Sequence, residues 1–395
     1  MDLYYFNPDN EIAIAHGGRG YTPTANIARM ARELAYLPAY LAGREDRVLV
    51  ERLPDARFLD ERRELLGMEC RPVTLEEASR LHFNALRPWG WSPRVLGLLE
   101  GIPVDAGGRE SWTPDKRMLY ARATALSVLE RARRALELPD DIFPRAVDNV
   151  EGVVERARRQ AVVIKSPWSS SGKGLLMTGP GEVGGKEREW VSGVLRRQGH
   201  VMVEKRLDKV ADFALEFWID PSAIRYAGFS LFFTGEKGEY RGNRLGPRER
   251  LEREITRHVG ASSLEAARTV IARVLLEVFG GRYRGPLGVD MMLYRDEGGT
   301  CRVHPCVEIN ARYNMGIIAL NLSGRYLSPG SEGMFRISYH PRAGEAYRVC
   351  RERAGAFPAR VDSGRVLSGY FPLTPVDAGT CFVAAITCSE FARER

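Results

Sequence analysis

Short apolar runs alternate with amphipathic stretches along the whole chain. Leu3 to Phe6 (LYYF) predicts a buried strand, followed by a polar loop from Asn7 to Thr22. A helix is predicted from about Thr24 to Tyr36, because Ile27, Met30, Ala31, Leu34 and Ala35 recur at helical spacing. The order then repeats: a strand at Arg47 to Val50, a helix at Asp55 to Leu66, a strand at Cys70 to Thr74 and a fourth strand at Leu81 to Leu86. Such alternation predicts a small α/β domain with a mainly parallel sheet, residues 1–112. In such sheets the loops after strands carry ligands. Two are conspicuous here, Asn7-Pro8-Asp9-Asn10 and Pro88-Trp89-Gly90-Trp91-Ser92-Pro93.

The pattern changes at SWTPD, where Thr113 suits an N-cap and Pro114 the first helical turn, so a long helix is predicted to about Ala135. Lys116 lies in its first turn, where acidic residues are usual, which points to a local anion. A strand at Phe143 to Val147 and a helix at Asp148 to Arg159 lead to two strands, Ala161 to Lys165 and Gly174 to Thr178, around a Ser/Gly loop. A helix at Lys186 to Gln198 precedes VMVEKRLDKVADFALEFWID, in which an edge strand ends at Glu204-Lys205-Arg206-Leu207 and an apolar strand resumes at Phe213. Further on, a strand in Ile224 to Gly246, helices at Pro247 to Val259 and Ser263 to Phe279, and a hairpin of Leu287 to Tyr294 and Cys301 to Ile309 are predicted. Asn314 to Tyr326 reads as a helix, and strands at Met334 to Tyr339, Val366 to Phe371 and Cys381 to Thr387 complete a C-terminal lobe. This gives 113–206 as a small lobe and 207–395 as a large one.

At 395 residues and 44% apolar content, the chain has the material for more than one core. No apolar run approaches the ~20 residues that span a bilayer, and the N-terminus has no secretory pattern, so a cytoplasmic protein without membrane contact is expected. The 6 cysteines show no C-x-x-C spacing, which argues against zinc and a disulfide framework. A net charge of +7 comes from arginines scattered along helix-like segments, a solvated surface and not a nucleic-acid face. Lysines are few: Lys116, Lys165, Lys173, Lys186, Lys205, Lys209 and Lys237. A retained lysine matters where ammonium and guanidinium are not interchangeable, as at a phosphate.

The hairpin carries the densest chemistry. Asp290 lies on its first strand and Glu308 and Asn310 on its second, with Arg312 two residues on, so alternate residues 308, 310 and 312 share one face. Hard oxygen donors with no thiolate or imidazole suit Mg²⁺, which takes one or two protein carboxylates and leaves the rest to water and phosphate. Mn²⁺ suits the same donors. Upstream, small residues from Ser169 to Gly174 let backbone N–H groups approach phosphate oxygens, and Lys165 supplies a point charge. His304 and Cys306 read as structural.

Taken in order, Lys116, Lys165 with SSSGKG, the V-E-K-x-L segment at Val203 to Leu207, and the D…E-x-N-x-R hairpin resemble the ATP-grasp superfamily over Thr113 to Gly316. The resemblance implies two lobes clasping Mg-ATP, preceded by a small α/β domain. It implies that Lys116 and Lys165 contact phosphates, and that Ser169, Ser170, Ser171, Gly172, Lys173 and Gly174 form the loop over them. Glu204 would bind the adenine amino group with the backbone of Lys205 to Leu207 nearby, and Asp212, or else Asp208, the ribose. Asp290, Glu308 and Asn310 would hold magnesium, and Arg312 would stabilise the transferred phosphoryl group. Arg241 and Arg244 are candidates for an acceptor's carboxylate or phosphate. YYFNPDN, PWGW and HPCVEINAR are similar to a branch of bacterial members.

The expected activity is an ADP-forming ligase joining a carboxylate, activated as an acyl phosphate, to an amine, amino acid or peptide. A kinase of the same fold acting on a hydroxyl is the second reading, and a nucleotide-binding regulator without turnover the third. Monomer and homodimer are both open.

Overall fold

The computed structural model describes residues 1–169 and 174–391, and within these the strands form three sheets. β1 (Asp2–Tyr5), β2 (Arg47–Leu49), β3 (Arg71–Val73) and β4 (Ala85–Pro88) make a parallel sheet in the order β3-β2-β1-β4. Leu3, Leu49, Val73 and Leu86 point to one side of it and bury against Phe83, Val95 and Leu99. The parallel α/β reading of this part therefore holds. Its first loop is shorter than expected, because Asn10–His16 is helical. The segment is too brief to show a helical period.

β5 (Arg145–Val147), β6 (Val162–Lys165), β7 (Leu175–Thr178) and β8 (Val201–Lys205) form a second, antiparallel sheet in the order β5-β8-β6-β7. Helices Val150–Arg159 and Gly185–Gln198 cover it through a core made mostly of valine. β-branched residues pack well on a pleated surface, which is what these short strands need.

The third sheet has nine strands, all antiparallel: β9 (Asp208–Asp220), β10 (Ala223–Thr234), β11 (Tyr240–Leu245), β12 (Gly285–Arg295), β13 (Cys301–Asn310), β14 (Ser331–Tyr339), β15 (Arg360–Asp362), β16 (Arg365–Pro372) and β17 (Phe382–Glu390). The spatial order is β13-β12-β9-β10-β11-β14-β17-β16-β15. Period-two alternation divides β9 between two environments. Phe213, Leu215, Phe217 and Ile219 bury under helices Arg122–Ala132, Arg248–Val259 and Ala261–Phe279. Asp212, Ala214 and Glu216 face the opposite way, into a cavity. Farther across the sheet, Leu245, Phe335 and Ile386 pack against Tyr36, Tyr40 and Trp89 of the N-terminal part.

Three predicted elements differ in ways that matter for the site. β9 begins at Asp208 and not at Phe213, since Asp208 to Asp212 pair with β12 despite two aspartates and a lysine among them. The single helix expected from Thr113 to Ala135 is two, Pro114–Leu119 and Arg122–Ala132, because Ala121 is extended (φ −80°, ψ 146°). The helix expected over Asn314 to Tyr326 is α-helical over Met315–Asn321 and widens into a π-turn at Leu322–Tyr326.

Candidate active site

A cavity of about 990 Å³ lies between the small sheet, the nine-stranded sheet and the N-terminal part. That volume suits a nucleotide together with a small substrate. Lys165, Glu204, Lys205, Leu207, Asp208, Asp212, Asp290, Glu308, Asn310 and Arg312 all line it, although they are spread over 148 positions of sequence from Lys165 to Arg312.

On the small-sheet side, Lys165 at the end of β6 is buried, and its ammonium pairs with the carboxylate of Glu204 on the adjacent β8. The ammonium of Lys205 is turned away to Asp141 (2.9 Å) and Glu297 (2.8 Å), tying β8 to the hairpin turn. On the large-sheet side, the Asp212 carboxylate accepts from Lys209 Nζ and Thr234 Oγ1, both at 2.6 Å. Asp212 is thus the ordered acid of the two ribose candidates, while Asp208 pairs loosely with Arg295 at 3.7 Å.

Asp290 and Glu308 are direct partners in the β12–β13 register, and the ladder shifts just beyond them. Burial, and after it the adjacent Glu308 carboxylate, pushes the Asp290 carboxyl well above the usual range. A buried carboxyl directly beside a second carboxylate favours a cation between them. Glu308 receives Arg122 Nη1 at 2.8 Å, and Asn310 Oδ1 accepts from Arg312 Nη2 at 2.9 Å. β13 ends at Asn310, so Arg312 reaches the site by its side chain. Its Nε pairs with Glu11 from the N-terminal part, and its Nη1 donates to Tyr313 O at 3.1 Å. The groups there that could hold a metal are two carboxylates and an amide. The described residues hold no cluster of three His, Cys, Asp or Glu. Two carboxylates fit Mg²⁺ completed by phosphate oxygens, and would not fit a metal caged by protein alone.

The structure does not bring every predicted residue to the cavity. The Lys116 ammonium is engaged by Glu110 and by Ser111 Oγ (3.1 Å), away from it. Arg241 pairs with Glu239 at 2.5 Å and is 65% exposed. Arg244 sits next to Asn243 on β11, so the alternation that sends Asn243 into the cavity sends Arg244 to Glu254 (4.0 Å) and Glu332 (3.7 Å). Ser169 is buried and accepts from Arg122 Nη2 at 3.2 Å. The Gly174 carbonyl accepts from Ser166 N at 2.9 Å. Ser170, Ser171, Gly172 and Lys173 lie outside the described residues. His304 is buried, with its pKa driven down to about 4 by desolvation, and Cys306 is buried beside it, so both are core residues.

Two residues were not visible in the sequence. Arg122 belongs to the cavity only because of the helix break before it. Glu216 is fully enclosed on β9, its carboxylate accepting from Asn314 Nδ2 (2.8 Å) and Ser230 Oγ (3.2 Å), and burial raises its pKa to about 7. Gly288 and Gly316 leave the room for it: a Cβ on Gly316 would lie 2.0 Å from Glu216 Oε1, and one on Gly288 2.6 Å from Oε2. The NPDN and PWGW loops clasp one another, Asn7 Nδ2 donating to Gly90 O at 2.8 Å. Tyr313 N in turn donates to Trp89 O at 2.8 Å, and Pro8 and Trp89 reach the cavity wall.

No family model and no curated protein matches the sequence. Among solved structures, the chain is similar to N5-carboxyaminoimidazole synthase from Aspergillus clavatus in complex with ADP and 5-aminoimidazole ribonucleotide. The identity is 10%, the TM-score 0.50, and 100% of this chain and 95% of that one are covered. It is similar also to the biotin carboxylase β-γ-ATP complex from Campylobacter jejuni, at 11% identity and TM-score 0.50, covering 98% and 87%. The chain shares the fold of these two enzymes along nearly its whole length.

Proposed function

Proceeding from this ATP-grasp fold, we propose that the protein is a Mg-ATP-dependent ligase that joins a carboxylate to an amine and releases ADP and phosphate. The observation that carries the reading is the convergence, in one cavity, of Lys165, the Asp290–Glu308–Asn310 donors and Arg312. A nucleotide-binding regulator needs no such transition-state groups around a metal site.

In this reading the adenine lies against the strand β8 and Leu207, with Asp212 on the ribose. Asp290, Glu308 and Asn310 hold Mg²⁺, which when bound offsets negative charge on the phosphates. Lys165 contacts the phosphates and leaves its contact with Glu204. The substrate carboxylate oxygen attacks the γ-phosphorus, the bond to the β-phosphate oxygen breaks, and ADP departs. The amine nitrogen then attacks the acyl carbon, phosphate leaves and the nitrogen loses a proton. Arg312, fixed by Glu11 and Asn310, stabilises the phosphoryl group in flight, a task for positioned charge in a site that excludes water.

The experiment is incubation with Mg-ATP, hydroxylamine and a panel of carboxylates, measuring ADP and hydroxamate together. ADP with hydroxamate is expected and identifies the carboxylate. ADP with a phosphorylated alcohol and no hydroxamate would replace the ligase with a kinase.

A further inference from the structure

A cation in the first turn of a helix faces the positive end of the helix dipole, so it needs an anion nearby to be stable there. Lys116 meets that condition with Glu110, outside the cavity. The same condition holds six residues later, inside it. Arg122 opens the 11-residue helix Arg122–Ala132, and its side chain is only 7% exposed. Its backbone N–H donates to Pro167 O at 2.9 Å, which anchors the helix start to the root of the Ser/Gly loop. From there the guanidinium spans two parts of the site: Nη2 donates to Ser169 Oγ at 3.2 Å, and Nη1 pairs with Glu308 Oε2 at 2.8 Å. Its Nε is buried without a partner among the described residues.

We propose that Arg122 is a phosphate-binding cation that stands on Glu308 in the nucleotide-free protein and turns to the nucleotide's phosphates when the metal takes Glu308. The proposal rests on the ligase reading above for the position of the phosphates. It follows from a competition on the page, since a divalent cation on Glu308 would draw on the charge that holds Arg122 and would set two positive charges side by side. A guanidinium released beside Ser169 has phosphate oxygens as the natural acceptors for its planar fork, and its orphaned Nε becomes one of the donors. Arg122 thereby takes the place at the phosphates that sequence order gives to Lys116.

The test uses the whole chain and binding alone. Affinity for ADP is measured by calorimetry at saturating Mg²⁺, and affinity for Mn²⁺ alone by electron paramagnetic resonance, in wild type, Arg122→Gln, Arg122→Lys and Lys165→Ala. Arg122→Gln is expected to weaken ADP by about tenfold or more. The same change is expected to tighten Mn²⁺ severalfold, because Glu308 is freed. Arg122→Lys keeps a cation and is expected to recover most of the ADP affinity, which also shows that the fold tolerates change at this position. Opposite movement of the two affinities is the signature, since a merely structural arginine would lower both or neither. Unchanged ADP affinity in Arg122→Gln, or a loss of Mn²⁺ binding in Arg122→Gln and Arg122→Lys alike, overturns the proposal. If Lys165→Ala weakens ADP while Arg122→Gln does not, this proposal fails and the nucleotide site stands. If wild type binds no ADP, the ligase reading itself has failed.

Discussion

Glu216 shows what one enclosed carboxylate does to the molecule. Its pKa, about 7, lies above the ordinary glutamate range because burial disfavours the charged form. The folded state therefore holds this proton more tightly than the unfolded chain does. The stability it contributes is complete below the ordinary glutamate range and is lost as pH rises through about 7. Glu216→Gln cannot titrate, and it keeps one oxygen acceptor for Asn314 or Ser230. Relative to wild type, the variant should gain about 1–3 kcal/mol between pH 5 and pH 8, read from urea unfolding at the two pH values. An unchanged difference between the two proteins would show that Glu216 does not titrate in this range. On the proposed reading, activity depends on other residues at the same scale. Lys165→Ala and Glu308→Gln should each reduce ATP consumption by at least ~10²-fold, with circular dichroism unchanged, and undiminished turnover in either would remove it from the site.

At the scale of elements, what the sequence reveals is what depends on local period. The parallel strands β1 to β4, the short strands around the Ser/Gly loop and the β12–β13 hairpin follow from apolar runs and turn residues, and Asp290, Glu308 and Asn310 are legible with them. Arg122 is not, because a break at Ala121 is imposed by the hydrogen bond from Arg122 N to Pro167 O, a contact between distant segments. Arg241 and Arg244 read as site residues on charge alone; alternation along β11 turns Arg244 away, and Arg241 falls where the β10–β11 register shifts and pairs with Glu239. Register has a second consequence at β14 and β17. Gly333 lies opposite Cys388, and a Cβ there would meet Thr387 O at 2.3 Å and Cys388 Cα at 2.7 Å. Backbone cannot move aside as a side chain can, so Gly333→Ala should destabilise by about 2–4 kcal/mol. Gly330→Ala, whose Cβ would find only Ser328 Oγ at 3.9 Å, is the control. It should stay within roughly 0.5 kcal/mol of wild type by the same thermal unfolding measurement. Equal melting of the two variants would mean that the β14–β17 contact is looser than this register.

At the scale of the whole molecule, the core does not follow the lobes that sequence order suggests. Leu34, Tyr36, Tyr40 and Val48 from the first part of the chain share one buried cluster with Phe335, Phe371, Phe382 and Ile386 from the last. Arg62 crosses the same boundary: its guanidinium lies between the rings of Phe58 (4.5 Å) and Phe371 (4.1 Å), and Nη2 donates to Pro372 O at 2.7 Å. The chain's two ends are thus packed as one body, with the cavity and the Glu11–Arg312 pair at its inner surface. The N-terminal part has one core of its own, against Phe83, Val95 and Leu99, but it exposes half of the shared core if it unfolds by itself. Wild type should therefore lose Trp fluorescence and far-ultraviolet ellipticity at the same urea concentration. Arg62→Ala removes two ring contacts and a hydrogen bond from a buried place, and should lower the midpoint by the equivalent of about 2–4 kcal/mol. The two probes should still coincide in the variant, because the rest of the shared cluster is intact. Separation of the probes in wild type would show that the N-terminal part carries its own stability and that Arg312 depends on a partner able to leave.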